Sequence, residues 1–304
     1  MSTSTPMHVV LGATGRVGSA VAGALLDRGE RVTVVTRDPR RAESFARRGA
    51  AVAVADVRDA DALRAVLRRG QRAFLLMPPA DPATDTVAEE RRTMAAIARA
   101  VEGAGLEKVA VQSTYGAQPG DGLGDLGVLH ALEQAVAATG VPTRVVRGAY
   151  FMSNWDFALE TARQTGEIPS LLPAELALPM VAPVDLGRIA ARWLVDDEDH
   201  AGVHHVEGPA PYSAADVARA AAAALGRDIR VVETPRAQWV ATFRALGFSP
   251  SAAESYARMT ATVVDGAIER PSAPARGPTT VVEYVAARLR QQGAPPLTSR
   301  SSPS

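Results

Sequence analysis

The chain has no cysteine among its 304 residues. Disulfides, thiolate catalysis and cysteine-held metal are therefore excluded. It also has no excess of either charge, since lysine plus arginine and aspartate plus glutamate both total 33. A balanced surface offers no broad basic face to nucleic acid and no polybasic patch to a membrane. The expected partner is a small molecule, and the expected state is a monomer or homodimer. No apolar run approaches membrane-spanning length. The opening "MSTSTPMHVV" lacks a basic patch followed by an apolar core, so no secretory signal is expected and the cytoplasm is the expected location. Histidine is scarce, with five scattered residues. His204 and His205 adjoin in a predicted strand that would point them to opposite faces, and no metal site is expected.

What is present alternates. "HVVLG", "RVTVVT", "AVAVAD", "RAFLLM", "KVAVQS" and "TRVVR" read as short buried strands. Helical runs separate them, the first being "RVGSAVAGALLDRG", ended by Gly29. A further helix is expected from Pro39 to Arg48, with proline at its start, where a missing N–H costs nothing. This alternation predicts an α/β fold, a doubly wound parallel sheet of Rossmann type over residues 1–150. After Tyr150 the pattern loosens. Strands and helices over 151–292 suggest a smaller C-terminal α/β substrate lobe interleaved with the first domain. Within it, Asp185 and Ser213 are the expected N-caps of two helices. The Pro- and Ser-rich end, 293–304, reads as a disordered tail.

Gly12, Gly15 and Gly18 form G-x-x-G-x-x-G between the first strand and the first helix. One glycine permits the turn, one lets backbone approach a pyrophosphate, and one lets the helix pack on the strand. The phosphates would meet free amides at the helix N-terminus. At the end of the second strand, where an acidic residue would hold a ribose 2′-hydroxyl, stand Thr36 and Arg37. Arg37 offers a planar fork to a 2′-phosphate, which favours NADP over NAD. Arg16 is a candidate second cation for that phosphate, while Asp38 is close enough to serve the ribose of NAD instead. Asp56, closing the third strand, is either an adenine contact or a turn cap.

The segments "GATGRVG", "TRDPRRA", "ADVRD", "QSTYGA", "HALEQAVAATGVPTRVVRGAYFMSN" and "PMVAPVDLGRIAARWLVD" resemble the atypical short-chain dehydrogenase/reductase group, and within it the NmrA-like proteins. The resemblance covers most of residues 7 to 290. It implies NAD(P)H binding. It implies either reduction of quinone- or azo-type acceptors or a non-catalytic NADP(H) redox sensor. It assigns Gly12, Thr14, Gly15, Arg16 and Val17 to the phosphate loop, Arg37 to the 2′-phosphate, and Asp56 and Val57 to the adenine wall. Met77, Pro78 and Pro79 fall where the family's loop covers the adenosine ribose. Two departures stand out. Arg147-Gly148 replaces a frequent Arg-Pro, and Met77-Pro78-Pro79 replaces small polar residues.

Ordinary members of the wider group use Tyr-x-x-x-Lys to protonate the developing alkoxide. Lys108 is the only lysine here, and the residue four before it is Ala104, so that dyad cannot form. Reduction of a simple ketone needs a positioned acid. A quinone, azo, enone or imine acceptor makes a weaker demand, so the expected activity is hydride transfer from NADPH to a small conjugated acceptor. Ser113 and Tyr115 follow the fifth strand at the ligand edge. Ser113 is expected near the cofactor and Tyr115 near the substrate, as a donor or as a packed aromatic. His130, sharing a helix face with Glu133, is the other candidate proton donor. Tyr150, Phe151 and Asn154 follow the sixth strand and are expected on the substrate side.

Overall fold

A computed structural model describes residues 6–120, 122–196 and 201–293. The expectation for the tail falls, beyond residue 293, outside them. The first half runs β1 (Met7–Val10), α1 (Arg16–Asp27), β2 (Arg31–Thr36), α2 (Glu43–Arg47), β3 (Ala51–Val54), α3 (Ala60–Leu67), β4 (Arg72–Leu75), α4 (Thr86–Val101), β5 (Lys108–Thr114), α5 (Asp125–Ala137) and β6 (Thr143–Gly148). The second half runs β7 (Tyr150–Phe151), α6 (Asp156–Thr165), β8 (Glu167–Ser170), β9 (Leu178–Val181), α7 (Pro183–Val195), β10 (Gly202–Glu207), β11 (Pro211–Tyr212), α8 (Ala214–Leu225), β12 (Arg230–Glu233), α9 (Trp239–Ala245), α10 (Pro250–Val264), β13 (Ala275–Arg276) and α11 (Val281–Gly293).

Valine-rich strands buried on both faces need helices above and below, and short helical crossovers make neighbouring strands parallel. The main sheet has the order β13-β10-β6-β5-β4-β1-β2-β3, with every pairing parallel. Strand order reverses between β1 and β4, which opens the ligand crevice at the carboxyl ends of the strands. One face packs α1, α2 and α7 around Val10, Val21, Leu25, Val34 and Leu186. The other packs α3, α4 and α5 around Val9, Leu63, Leu75, Ile97 and Leu132. At the crossing of α7 and α1, a Cβ on Gly187 would lie 2.5 Å from that of Ala20. Glycine therefore sets the close approach.

The second half divides its elements. β10 and β13 extend the main sheet and α7 covers it. α6, α8 and α11 surround a third core with Met152, Trp155, Leu159, Ile168, Met180 and Val217. Two small sheets, β11-β9-β7 and β12-β8, complete that lobe.

Two expected caps resolve differently. Ser213 caps α8 and forms a reciprocal capping box with Asp216. Asp185 does not cap α7: Ala182 holds the cap position and Pro183 starts the helix. The buried Asp185 carboxylate instead accepts from the Thr279 amide at 2.8 Å, tying α7 to the segment before α11. The expected helix from Pro39 opens as a 3-10 turn (Pro39–Ala42) capped by Asp38 and becomes α-helical only at Glu43.

Candidate functional site

The turn from β1 into α1 requires its glycines. Gly12 has φ +65°, and a Cβ there would lie 2.0 Å from Cδ2 of Leu76, in the loop after β4. A Cβ on Gly18 would lie 2.2 Å from the Gly12 carbonyl oxygen. The Gly15 amide donates to that oxygen at 2.8 Å and closes the turn. Gly15 is the N-cap of α1 and brings no side chain to the helix end. Ser19 donates to the Gly15 carbonyl, so the amides of Arg16, Val17 and Gly18 have no helical acceptor. Gly15 and Arg16 are exposed and Val17 is buried. The loop is thus an open cradle of free N–H groups at the positive end of a helix, which fits a pyrophosphate.

The charges beside it are sorted by local pairing. Arg40 grips Asp38 through Nε and one Nη, each at 3.0 Å, and the Arg40 amide binds the same carboxylate. Arg40 holds the Asp38 carboxyl below its ordinary range. Asp38 is therefore committed to the 3-10 turn rather than to a ribose. Arg37 is exposed, with no hydrogen-bond or ion-pair partner among the described residues. Arg41 reaches the Thr14 carbonyl in the glycine loop at 3.4 Å. Sequence reasoning did not single out Arg41: three arginines stand in "TRDPRRA", and only the fold shows that Asp38 takes Arg40 and leaves Arg37 and Arg41. Arg16, expected at the 2′-phosphate, turns the other way and pairs with Asp156 of α6. Asp56 is bound by the Arg58 guanidinium, which lowers its pKa, and by the Arg58 amide, so it behaves as a turn cap. Val57 is half-buried beside it. Met77 is buried in the α4/α5-side core, while Pro78 and Pro79 are exposed.

The expected chemical residues are placed less favourably. Ser113 is buried, and its hydroxyl donates to Glu133. Tyr115 is 5% exposed and donates to Glu207 at 3.1 Å, edge-on to His205. Burial, and then the Glu207 charge, raise its pKa far above the ordinary phenol value. Tyr115 is thus packed, with its hydroxyl engaged by Glu207. His130 and Glu133 do share a helix face, but Nδ1 of His130 stands 3.9 Å from Glu133 and has no hydrogen-bond partner. Glu133 is already bound by Arg147 at 2.9 and 2.7 Å. Tyr150 hydrogen-bonds Asn154 and is pushed up to about 12 by burial. Phe151 fills the space beside Gly148, where a Cβ would meet its ring at 2.5 Å. His204 packs on Trp193 and His205 on Tyr115, on opposite faces as expected. Lys108 opens β5, at the end of the strand away from the glycine loop.

Sequence reasoning also missed Glu269. It accepts from the Gly116 amide at 2.6 Å, from Arg147 at 2.8 Å, and faces His205 at 3.2 Å. It ties the loop after β5 to β6 and β10.

The glycine turn from β1 into α1 and the reversal of strand order beside β1 define a Rossmann-type fold. More particularly, the chain belongs to the NmrA-like family, whose sequence model matches residues 6–284. It is 26% identical over 293 residues to the NAD(P)H azoreductase of Xenophilus azovorans, covering 95% of this chain and all of that one. It is 30% identical over 230 residues to the (4-alkanoyl-5-oxo-2,5-dihydrofuran-3-yl)methyl phosphate reductase of Streptomyces griseus, covering 75% of this chain and 77% of that one. Its fold matches triphenylmethane reductase of Citrobacter sp., solved with NADP(H), with a TM-score of 0.78 at 18% identity, over 93% and 99% of the two chains. No helix among the described residues is long and apolar enough to cross a membrane.

Proposed function

We propose that the protein is an NADPH-dependent oxidoreductase that passes hydride to a small conjugated acceptor of quinone, azo, enone or imine type. One observation carries the cofactor half: the glycine cradle is flanked by Arg37 and Arg41, while Asp38, the one carboxylate placed for a free ribose hydroxyl, is held by Arg40. A guanidinium fork suits a 2′-phosphate, and its pairing is charge-assisted. Gly12, Gly15 and the first amides of α1 hold the pyrophosphate, Arg37 and Arg41 the 2′-phosphate, and Leu76 to Pro79 the ribose side. When bound, the reduced nicotinamide supplies the hydride. The protein supplies position and water exclusion, the largest share of the rate for such a transfer. The reductases related to this chain support the acceptor half, as does the absence of Tyr-x-x-x-Lys, which an alkoxide product would need.

The test is consumption of NADPH by the purified chain with a panel of quinones, azo dyes, enones and imines. Turnover with at least one acceptor is expected. Saturable NADPH binding without turnover across the panel would instead support the redox sensor. The double change Arg37→Ala, Arg41→Ala is expected to weaken NADPH by roughly 100-fold, the value of about two charge-assisted contacts, and to leave NADH within about twofold. An unchanged NADPH to NADH preference would defeat the assignment of these arginines.

A further inference from the structure

One carboxylate joins the glycine loop to the C-terminal lobe. Arg16 opens α1, and its amide is one of the free donors of the cradle. Its side chain is half-exposed and sets one Nη against Oδ2 of Asp156. Asp156 opens α6, and its side chain is buried. The rest of its shell comes from α11. Tyr284 Oη donates to Oδ1 at 2.8 Å, Nε of Arg288 lies 3.3 Å from Oδ2, and the Gln292 side chain donates to the Asp156 carbonyl at 3.2 Å. Tyr284, Arg288 and Gln292 fall four residues apart, so α11 presents them as one stripe. Asp156 is therefore the point where α1, α6 and α11 meet. It directly follows Trp155, the cap of α6, which packs on Tyr150 in the lobe core.

The charges at this point do not cancel. One carboxylate faces two guanidinium groups, which leaves one positive charge over. The next acid along α6, Glu160, pairs with Arg163. Burial, and then the Asp156 charge, raise the Tyr284 phenol, so it stays a donor. The two helix starts differ in the same sense. α6 opens with an acid, which the positive end of a helix favours. α1 opens with a cation and has no acid in its first turn, against that preference. An anion on the cradle would remove the conflict. Oδ2 of Asp156 makes no directed hydrogen bond, so charge alone holds Arg16 there. Departure of Arg16 strands no buried charge, because Arg288 and Tyr284 remain on the carboxylate. The backbone of Arg16 is itself part of the cradle. Its guanidinium therefore needs only side-chain rotation to meet an anion held by the amides.

We propose that Asp156 and the pyrophosphate of the dinucleotide compete for Arg16, so that Asp156 sets cofactor affinity and cofactor binding releases one tie between α1 and the lobe. Arg16 is the binding residue and Asp156 the positioning residue. This rests on the dinucleotide reading of the glycine loop. The pyrophosphate carries two charges and takes a guanidinium in a charge-assisted contact. Asp156 carries one charge and shares it between Arg16 and Arg288. The coupling is reciprocal: whatever frees Arg16 from Asp156 tightens the nucleotide, and bound nucleotide loosens α6 and α11 from α1.

Calorimetric titration of the full chain with NADPH tests this in two backgrounds. Asp156→Asn frees Arg16 and is expected to tighten NADPH about fivefold, the worth of a partly exposed ion pair. Arg288→Met makes Asp156 lean harder on Arg16 and is expected to weaken NADPH about fivefold. Tyr284→Phe, a milder change, should weaken it in the same direction by about twofold, and so keeps the test intact if a charge variant fails to fold. Arg16→Met should itself weaken NADPH about tenfold, and on that background the other changes should stay within about twofold. A merely structural role for Asp156 would loosen the lobe in Asp156→Asn and Arg288→Met alike and move both affinities the same way. A through-space field would keep the opposite shifts even without Arg16. Either result overturns the proposal, as does wild-type affinity in Asp156→Asn. A crystal structure with NADPH should place the Arg16 guanidinium on the pyrophosphate, with Asp156 kept by Arg288 and Tyr284. Arg16 still on Asp156 in that crystal would overturn the exchange. Absence of saturable NADPH binding in the wild type defeats the dinucleotide reading and the competition with it. Saturable binding with the wrong signs defeats the competition alone.

Discussion

Gly18→Ala is expected to reduce NADPH binding by at least about 100-fold, while Gly23→Ala, five residues further along the same helix, leaves it unchanged. The two positions differ sharply in what a methyl group would meet. At Gly18 it would lie 2.2 Å from the Gly12 carbonyl oxygen and 2.4 Å from its carbon, with the Leu11 oxygen at 2.8 Å. None of these is the tip of a side chain that could swing away. The loop must rise off α1, and the cradle of amides loses its shape. Overpacking of this kind also costs about 1–3 kcal/mol of stability. At Gly23 the nearest atom is Nη1 of Arg48, at 3.6 Å, an ordinary contact with a flexible chain. Alanine there gains helix propensity, about 1 kcal/mol in an exposed helix interior and less at a half-buried site. Calorimetric titration with NADPH and thermal melts of both variants check the pair of outcomes. Equal affinities would mean that the glycine loop does not hold the dinucleotide.

Arg147→Met is expected to lower the folding free energy by about 3–5 kcal/mol, the cost of stranding a buried charge. Glu133 is 2% exposed and receives two bonds from this one guanidinium. Without it the carboxylate keeps only the Ser113 hydroxyl. Glu269 loses a partner in the same step. Burial pushes Glu269 up, yet the Gly116 amide and Arg147 hold it below the ordinary carboxylate range, so removal of Arg147 should raise it. Arg147→Lys should not rescue, since a single ammonium cannot span both glutamates in a fork. The double change Arg147→Met, Glu133→Gln should recover part of the loss, because no buried charge is left alone. Urea denaturation of the four proteins checks the series. A single-variant loss under about 1 kcal/mol would show that the cluster is solvated. The departure from Arg-Pro at 147–148 is thus explained by packing: Gly148 makes room for Phe151 and Leu186.

Much of the fold was legible because its signals are local. Six short apolar strands at crossover spacing, each followed by a helical run, dictate a parallel sheet whatever the rest of the chain does. The glycine loop was equally legible, since its three requirements fall within seven residues. Side-chain direction was not legible where strand alternation breaks. Val111 and Ser113 share the α5 side of β5. Tyr115, two residues on, has left the strand, and the turn swings it to the α1/α7 side. Nothing in "QSTYGA" announces that change of face. The expected cap at Asp185 was misplaced for a related reason. Its proximity to a helix start suggested a cap, but its partner is Thr279, 94 residues away.

The sequence by itself determined the sheet, the glycine turn into α1 and the impossibility of a Tyr-x-x-x-Lys dyad, because each depends on neighbours along the chain or on a residue count. Tertiary structure alone decided that Arg41 reaches the glycine loop, that Arg16 pairs with Asp156, and which glutamates converge on Arg147. Burial and proximity between distant segments set the protonation and orientation of ionisable groups. Neither is written in the spacing of residues.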